Sequence, residues 1–226
     1  MNGDVVVITG AAGALGSVVA RMAAERGARL ALIDHGRHGA APDGAFALGG
    51  VDLTDFKQAE EALSSVRDRM GAVHVLLNLA GGFAFEKLED GDPATWERMF
   101  RLNLTTAVNA SKAAVPHLVE SGAGRIVNVG AASVLKAAAG MGPYAASKSG
   151  VLKLTESLAE ELKDRNVTVN AVLPSIIDTP QNRAEMGEKN APKWVRAEDL
   201  AAVILFLASR EATAVTGALV PVTGRV

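Results

Sequence analysis

The chain has 226 residues, 49% of them apolar and 4% aromatic, with a formal net charge of -2. This is enough apolar material for one large core, and so little net charge argues against nucleic acid as a partner. The absence of cysteine excludes disulfides, thiolate catalysis and cysteine-held metals, and accords with a reducing, cytoplasmic setting.

Along the chain, short apolar runs alternate with longer helix-like stretches. A strand is predicted at Val5–Thr9, then a helix at Ala14–Arg26 and strands at Arg29–Ile33 and Phe46–Val51. A helix over Asp55–Met70, a strand over Val73–Asn78 and a long helix over Pro93–Glu120 follow. Gly124–Val129 predicts a strand, Tyr144–Asp164 a helix, Val167–Leu173 a strand, Ala197–Ser209 a helix and Ala218–Val222 a last strand. Thr54 and Asp92 are placed as N-caps, with Pro93 in a first turn and Gly27 and Gly71 at helix ends.

Continuous apolar strands separated by helices predict an α/β fold: a Rossmann-like, doubly wound parallel sheet of about seven strands with helices on both faces. One domain is expected over 1–226, with a substrate flap around 178–195. Between Ile33 and Phe46 the link is rich in Gly and Pro, including Gly36, Gly39, Pro42 and Gly44. That composition opposes a crossover helix and predicts a thinly covered sheet face. The N-terminus reads as a strand rather than a targeting signal, and Leu200–Ala208 is too short to span a bilayer, so no membrane partner is expected.

The first chemical signal is Thr9-Gly10-Ala11-Ala12-Gly13-Ala14-Leu15-Gly16, between a strand and a helix. Glycines there allow backbone to approach a pyrophosphate, and the helix N-terminus offers free N–H groups. Asp34 stands at the next strand's end, about 20 residues on, where a carboxylate accepts from ribose hydroxyls and repels a 2′-phosphate. NAD(H) is therefore favoured over NADP(H), although His35, Arg37 and His38 lie close by. Asp52, with Leu53 beside it, is placed either to contact adenine or to cap the next helix. In Asn78-Leu79-Ala80-Gly81-Gly82, small residues leave room for a cofactor over the carboxyl edge of the sheet.

Tyr144 and Lys148 stand four apart on one helix face. A nearby ammonium and a positively charged nicotinamide ring favour the phenolate, so Tyr144 is expected to have a lowered pKa and to exchange a proton with substrate. The four histidines show no metal-ligand spacing. Phe83 and Phe85 are placed in the pocket or against the sheet, and Trp96 in the core or an interface. Gln181–Pro192 with Trp194 is expected to form a mobile flap.

Taken together, these stretches resemble the short-chain dehydrogenase/reductase family. Thr9, Gly10, Ala14 and Gly16 follow its glycine motif, with Ala14 where glycine is usual; Asn78–Gly81 follows its Asn-x-Ala-Gly element, and Tyr144 and Lys148 its Tyr-x-x-x-Lys pair. The resemblance implies that Asn103 supports a proton relay to the lysine. It also implies that Pro174, Ile177 and Thr179 belong to a loop over the nicotinamide, and that long helices pair subunits into a homodimer or homotetramer. The family's catalytic serine falls thirteen residues before the tyrosine, where this chain has Ala131; Ser133 is the candidate substitute.

Alanine at that place, Gly140-Met141-Gly142 before Tyr144, and Asp178–Arg183 followed by Trp194 are similar to the quinonoid dihydropteridine reductase subfamily. Three functions follow as expectations. The first is an NAD(H)-dependent oxidoreductase for a small activated carbonyl or quinonoid, pteridine-like substrate. The second is a generic alcohol dehydrogenase or 3-oxoacyl-thioester reductase. The third is a catalytically weak dinucleotide sensor.

Overall fold

A computed structural model describes residues 1–36 and 41–226 of the chain. Its elements are β1 (Val5–Thr9), α1 (Ala14–Glu25), β2 (Arg29–Ile33), β3 (Phe46–Leu48), α2 (Phe56–Met70) and β4 (Val75–Asn78). After these come α3 (Pro93–Met99), α4 (Thr106–Glu120), β5 (Arg125–Val129), α5 (Gly142–Leu162) and β6 (Thr168–Pro174). The last third holds β7 (Ile177–Asp178), α6 (Pro180–Met186), β8 (Val195–Arg196), α7 (Ala197–Leu207) and β9 (Leu219–Val222).

Seven strands form one parallel sheet in the order β3-β2-β1-β4-β5-β6-β9, the single-domain α/β architecture expected. Alternation along β1 explains its composition. Val5 and Val7 pack toward α2, α4 and α5, while Val6 and Ile8 pack toward α1 and α7. A strand buried on both faces has no polar side, so every residue of β1 is buried. The chain winds outward in opposite directions from β1 and β4, which opens a crevice at their carboxyl ends, where such sheets bind ligands.

Several predicted details change. The N-cap of α2 is Asp55, not Thr54; its carboxylate accepts from Lys57 N, while the Thr54 hydroxyl accepts from Arg101. Asp92 does cap its helix, and Gly71 closes α2 at φ 84°. The helix predicted over Pro93–Glu120 is helical throughout but divided by a π-helical turn at Phe100–Thr105 that contains Asn103. β3 has only three residues, and the central one, Ala47, is exposed. The described residues between β2 and β3 hold no helix, and Phe46 and Leu48 of β3 are half-buried. Arg37, His38 and Gly39 lie outside the described residues. No described helix is long and apolar enough to cross a membrane.

Candidate active site

Thr9 joins two of the predicted motifs. Its hydroxyl accepts from Leu79 N at 3.1 Å and Ala80 N at 3.2 Å, pinning the loop after β4 to the glycine turn. Gly10 sits at φ 65°, and a Cβ there would lie 2.8 Å from the Ala80 backbone, so only glycine allows this approach. A Cβ on Gly16 would meet Gly10 O at 2.2 Å, so α1 starts directly against the turn. Gly13 is the N-cap of α1 and has no side chain to cover the first N–H groups. Ala14 is exposed, Leu15 half-buried. A cavity of about 630 Å³ separates Ala14 and Val18 from Asp178, Thr179 and Arg183.

Asp34 reaches back to this turn. One carboxylate oxygen accepts from Ala12 N and the other from Gly36 N, both at 2.9 Å. Asp52 instead serves its own loop: its carboxylate accepts from Thr54 N at 2.8 Å. Hydrogen bonding from the Thr54 side chain and then from its backbone, with help from His35 and Arg101, holds its carboxyl below the usual range. Leu53 packs in the core, and its carbonyl accepts from Asn109. Asp52 therefore does not cap α2, whose N-cap is Asp55; its carboxylate closes the turn just before that helix.

Asn78 ends β4 and is buried between Thr9 of β1 and Asn128 of β5. Its Nδ2 donates to Ser111 Oγ at 3.0 Å and to Asn128 Oδ1 at 2.9 Å. Asn128 in turn donates to Thr155 Oγ1, so a polar chain runs from α4 through two strands to α5. Ser111, Asn128 and Thr155 were not anticipated; polar residues inside otherwise apolar elements are the sequence signal that marks them.

Gly81, Asn103 and Lys148 converge. A Cβ on Gly81 would lie 2.6 Å from Asn103 Oδ1 and 3.3 Å from Lys148 Nζ. Asn103 accepts from Gly82 N at 2.9 Å, and its Nδ2 donates to Gly82 O at 3.1 Å and Ser147 Oγ at 3.0 Å. The π turn thereby places Asn103 against α5 beside Lys148. Ser147, adjacent in sequence to the lysine, is a further participant that the motif reading passed over. Its hydroxyl donates to Tyr144 O at 2.7 Å.

Lys148 is buried, its Nζ donating to Val129 O at 2.8 Å, and burial pushes its pKa down to about 8. Tyr144 differs from expectation. Burial pushes its phenol up to about 12 instead of lowering it, because desolvation of a phenolate outweighs any help from Lys148 in the protein alone. The Phe83 ring stands edge-on to Tyr144, with centroids 5.0 Å apart.

Ala131 occupies the place of the missing hydroxyl and is 3% exposed. Ser133 lies in a short 3-10 turn, Ala132–Val134, and its Oγ is buried without a hydrogen-bond partner. Pro174 ends β6, Ile177 lies in β7, which pairs with β8, and the Thr179 hydroxyl caps α6 by accepting from Asn182 N. The segment expected as a flap is therefore partly ordered by a short helix and a two-stranded pairing. Trp194 is buried, 6% exposed. Phe85 lies on Gly140, and Trp96 on Gly142.

Residues 4–190 match the short chain dehydrogenase family. The chain is 32% identical to the 3-oxoacyl-acyl-carrier-protein reductase FabG of Vibrio harveyi, covering 99% of this chain and 97% of that one. It is also 32% identical to 2-(S)-hydroxypropyl-CoM dehydrogenase 3 of Xanthobacter autotrophicus, covering 99% and 96%. Among solved structures, the ligand-free aldohexose dehydrogenase of Thermoplasma acidophilum superimposes with a TM-score of 0.91 at 26% identity, covering 99% of this chain and 94% of that one. Carveol dehydrogenase of Mycobacterium avium, in complex with NAD, gives 0.89 at 28% identity, covering 99% and 97%. With the family's glycine turn, its Tyr-Lys pair and its sheet all in place, this chain belongs to the short-chain dehydrogenase/reductase family and is an oxidoreductase.

Proposed function

We propose that the protein is an NAD(H)-dependent reductase of an activated carbonyl or a quinonoid, pteridine-like ring. The observation that carries this reading is Ala131: a buried methyl stands where the family's polarising hydroxyl belongs, while Tyr144 and Lys148 are kept. Removing one such donor typically costs on the order of 100-fold or more in rate for an ordinary carbonyl. An electron-poor quinonoid acceptor needs less polarisation.

The glycine turn, with its close-packed Gly10 and Gly16 and the uncapped start of α1, fits a dinucleotide pyrophosphate. In this reading Gly10, Gly13, Ala14, Leu15 and Gly16 hold the phosphates. Asp34 exchanges its bonds to Ala12 N and Gly36 N for ribose hydroxyls and disfavours a 2′-phosphate. Asn78, Ala80 and Gly81 border the ring on one side, and Pro174, Ile177 and Thr179 on the other. When bound, the reduced dinucleotide supplies a hydride.

Tyr144 donates its phenolic proton to the substrate oxygen or nitrogen as the hydride arrives. Lys148 favours the resulting phenolate, and Asn103 holds the proton path open beside it. Oligomerisation through α4 and α5 and a cytoplasmic location belong to the same reading. The partly exposed Phe100 and Leu102 in the π turn and Val108 in α4 supply apolar surface for the former.

Steady-state NADH oxidation tests the reading. Fast turnover of a quinonoid dihydropterin with little on simple ketones supports it; the reverse pattern overturns it. The unpartnered hydroxyl of Ser133 favours a second reading, a generic ketone or 3-oxoacyl-thioester reductase in which Ser133 does the polarising. Ser133→Ala separates the two, because only the second predicts a large loss of kcat. Tyr144→Phe separates either from a dinucleotide sensor: an enzyme loses turnover and keeps cofactor affinity.

A further inference from the structure

Large apolar side chains are exposed in both loops that border Tyr144. Phe83 is 55% exposed, and Phe85 and Leu88 more so, in the loop after β4; Leu135 is 71% exposed in the loop after β5. A single exposed apolar residue needs no explanation, but a cluster on two loops that meet at a reactive side chain does.

The two loops are joined. Glu86 N donates to Gly140 O at 2.8 Å, and the Phe85 ring covers Gly140 so closely that a Cβ there would lie 2.5 Å from Phe85 Cζ. The nearby Glu86 carboxylate is turned away, accepting from Asp92 N and the Thr95 hydroxyl at the start of α3. Phe83 meets Tyr144 edge-on at an interplanar angle of 71° and keeps more than half its surface free. A molecule that engages the Tyr144 hydroxyl therefore comes to lie alongside an aromatic ring already held in position. Aromatic rings reward a flat partner in offset or edge-on contact beyond the apolar area buried. In the loop after β5, Ala137, Ala138 and Ala139 are small and exposed.

We infer that the substrate carries its reducible group on a flat aromatic or quinonoid ring, and that Phe83 is the specificity-determining residue that selects this ring over saturated analogues. The inference rests on Tyr144 being the proton donor, and it narrows the substrate class of that same site.

The test uses a pair of activated dicarbonyl acceptors, flat against saturated: phenanthrenequinone with cyclohexane-1,2-dione. The wild type is expected to favour the flat member in kcat/KM. Phe83→Ala is expected to raise KM for the flat member about tenfold, equivalent to ~1.4 kcal/mol, with kcat nearly unchanged and the saturated member little affected. Phe83→Trp is expected to restore the preference. Equal losses on both members of the pair, or no preference in the wild type, overturn the inference.

Equilibrium binding of a non-reacting flat probe, 1-naphthol, to wild type and Phe83→Ala in the presence of NAD is read by calorimetry and needs no turnover. If no acceptor reacts, the proposed reduction fails, while weaker 1-naphthol binding to Phe83→Ala still upholds the ring site. Unchanged binding overturns it. Phe83→Leu, which keeps apolar bulk without a ring, is expected to behave like Phe83→Ala; wild-type discrimination in this variant would also overturn it.

Discussion

The Nζ of Lys148 donates to the carbonyl oxygen of Val129 at 2.8 Å, tying the active-site helix α5 to the carboxyl end of β5. This bond orients an ammonium that burial otherwise penalises, and burial holds its pKa down to about 8. Between that value and the ordinary lysine value of 10.5, the unfolded chain binds a proton that the folded chain has released. Folding stability from this residue therefore rises with pH across that interval, and the penalty is fully present below pH 8. In thermal melts, any stability advantage of Lys148→Met over wild type is expected to shrink from pH 8 to pH 10. A constant difference would mean that Lys148 keeps an ordinary pKa. The variant is also expected to lose turnover by ~100-fold or more.

Ala131 provides a direct gain-of-function test. Ala131→Ser is expected to raise kcat/KM for simple ketones by roughly 10- to 100-fold, in line with the value of one oriented donor. Quinonoid acceptors are expected to gain much less. Steady-state rates on both classes, measured side by side, check this.

Asp34 holds the glycine turn through Ala12 N, and the proposed function also assigns it the ribose hydroxyls. Asp34→Ser is expected to weaken NADH binding by roughly 10- to 100-fold, the range for hydrogen bonds to a charged group of about 1.5–3 kcal/mol. NADPH binding is expected to weaken less, because a repulsive carboxylate is removed. Titration of the nucleotide's fluorescence with each protein gives both constants.

Gly10 and Gly122 separate backbone strain from site geometry. Both have positive φ, 65° and 76°, but a Cβ on Gly10 would press on Ala80 whereas one on Gly122 meets open space. Gly122→Ala is expected to cost about 1 kcal/mol of stability and to leave nucleotide binding intact. Gly10→Ala is expected to cost more and to abolish binding, since it parts the glycine turn from the loop after β4. Denaturation and nucleotide titration on the two variants distinguish these outcomes.

The main strands and their order along the chain were legible in the sequence because continuous apolar runs such as Val5–Ile8 and Leu30–Ile33 have no polar face to leave in water. So were the glycine turn and the four-residue spacing of Tyr144 and Lys148, which follow from local backbone geometry. The tertiary structure decided the rest. Nothing local indicates that helix Pro93–Glu120 takes a π turn, because that turn is coupled to the bonds of Asn103 with Gly82 and Ser147, residues 21 and 44 positions away. The cap at Asp55 in place of Thr54, and the burial of Trp194, depend likewise on which neighbours fold against them. The raised pKa of Tyr144 is a property of burial, which spacing along a helix does not determine.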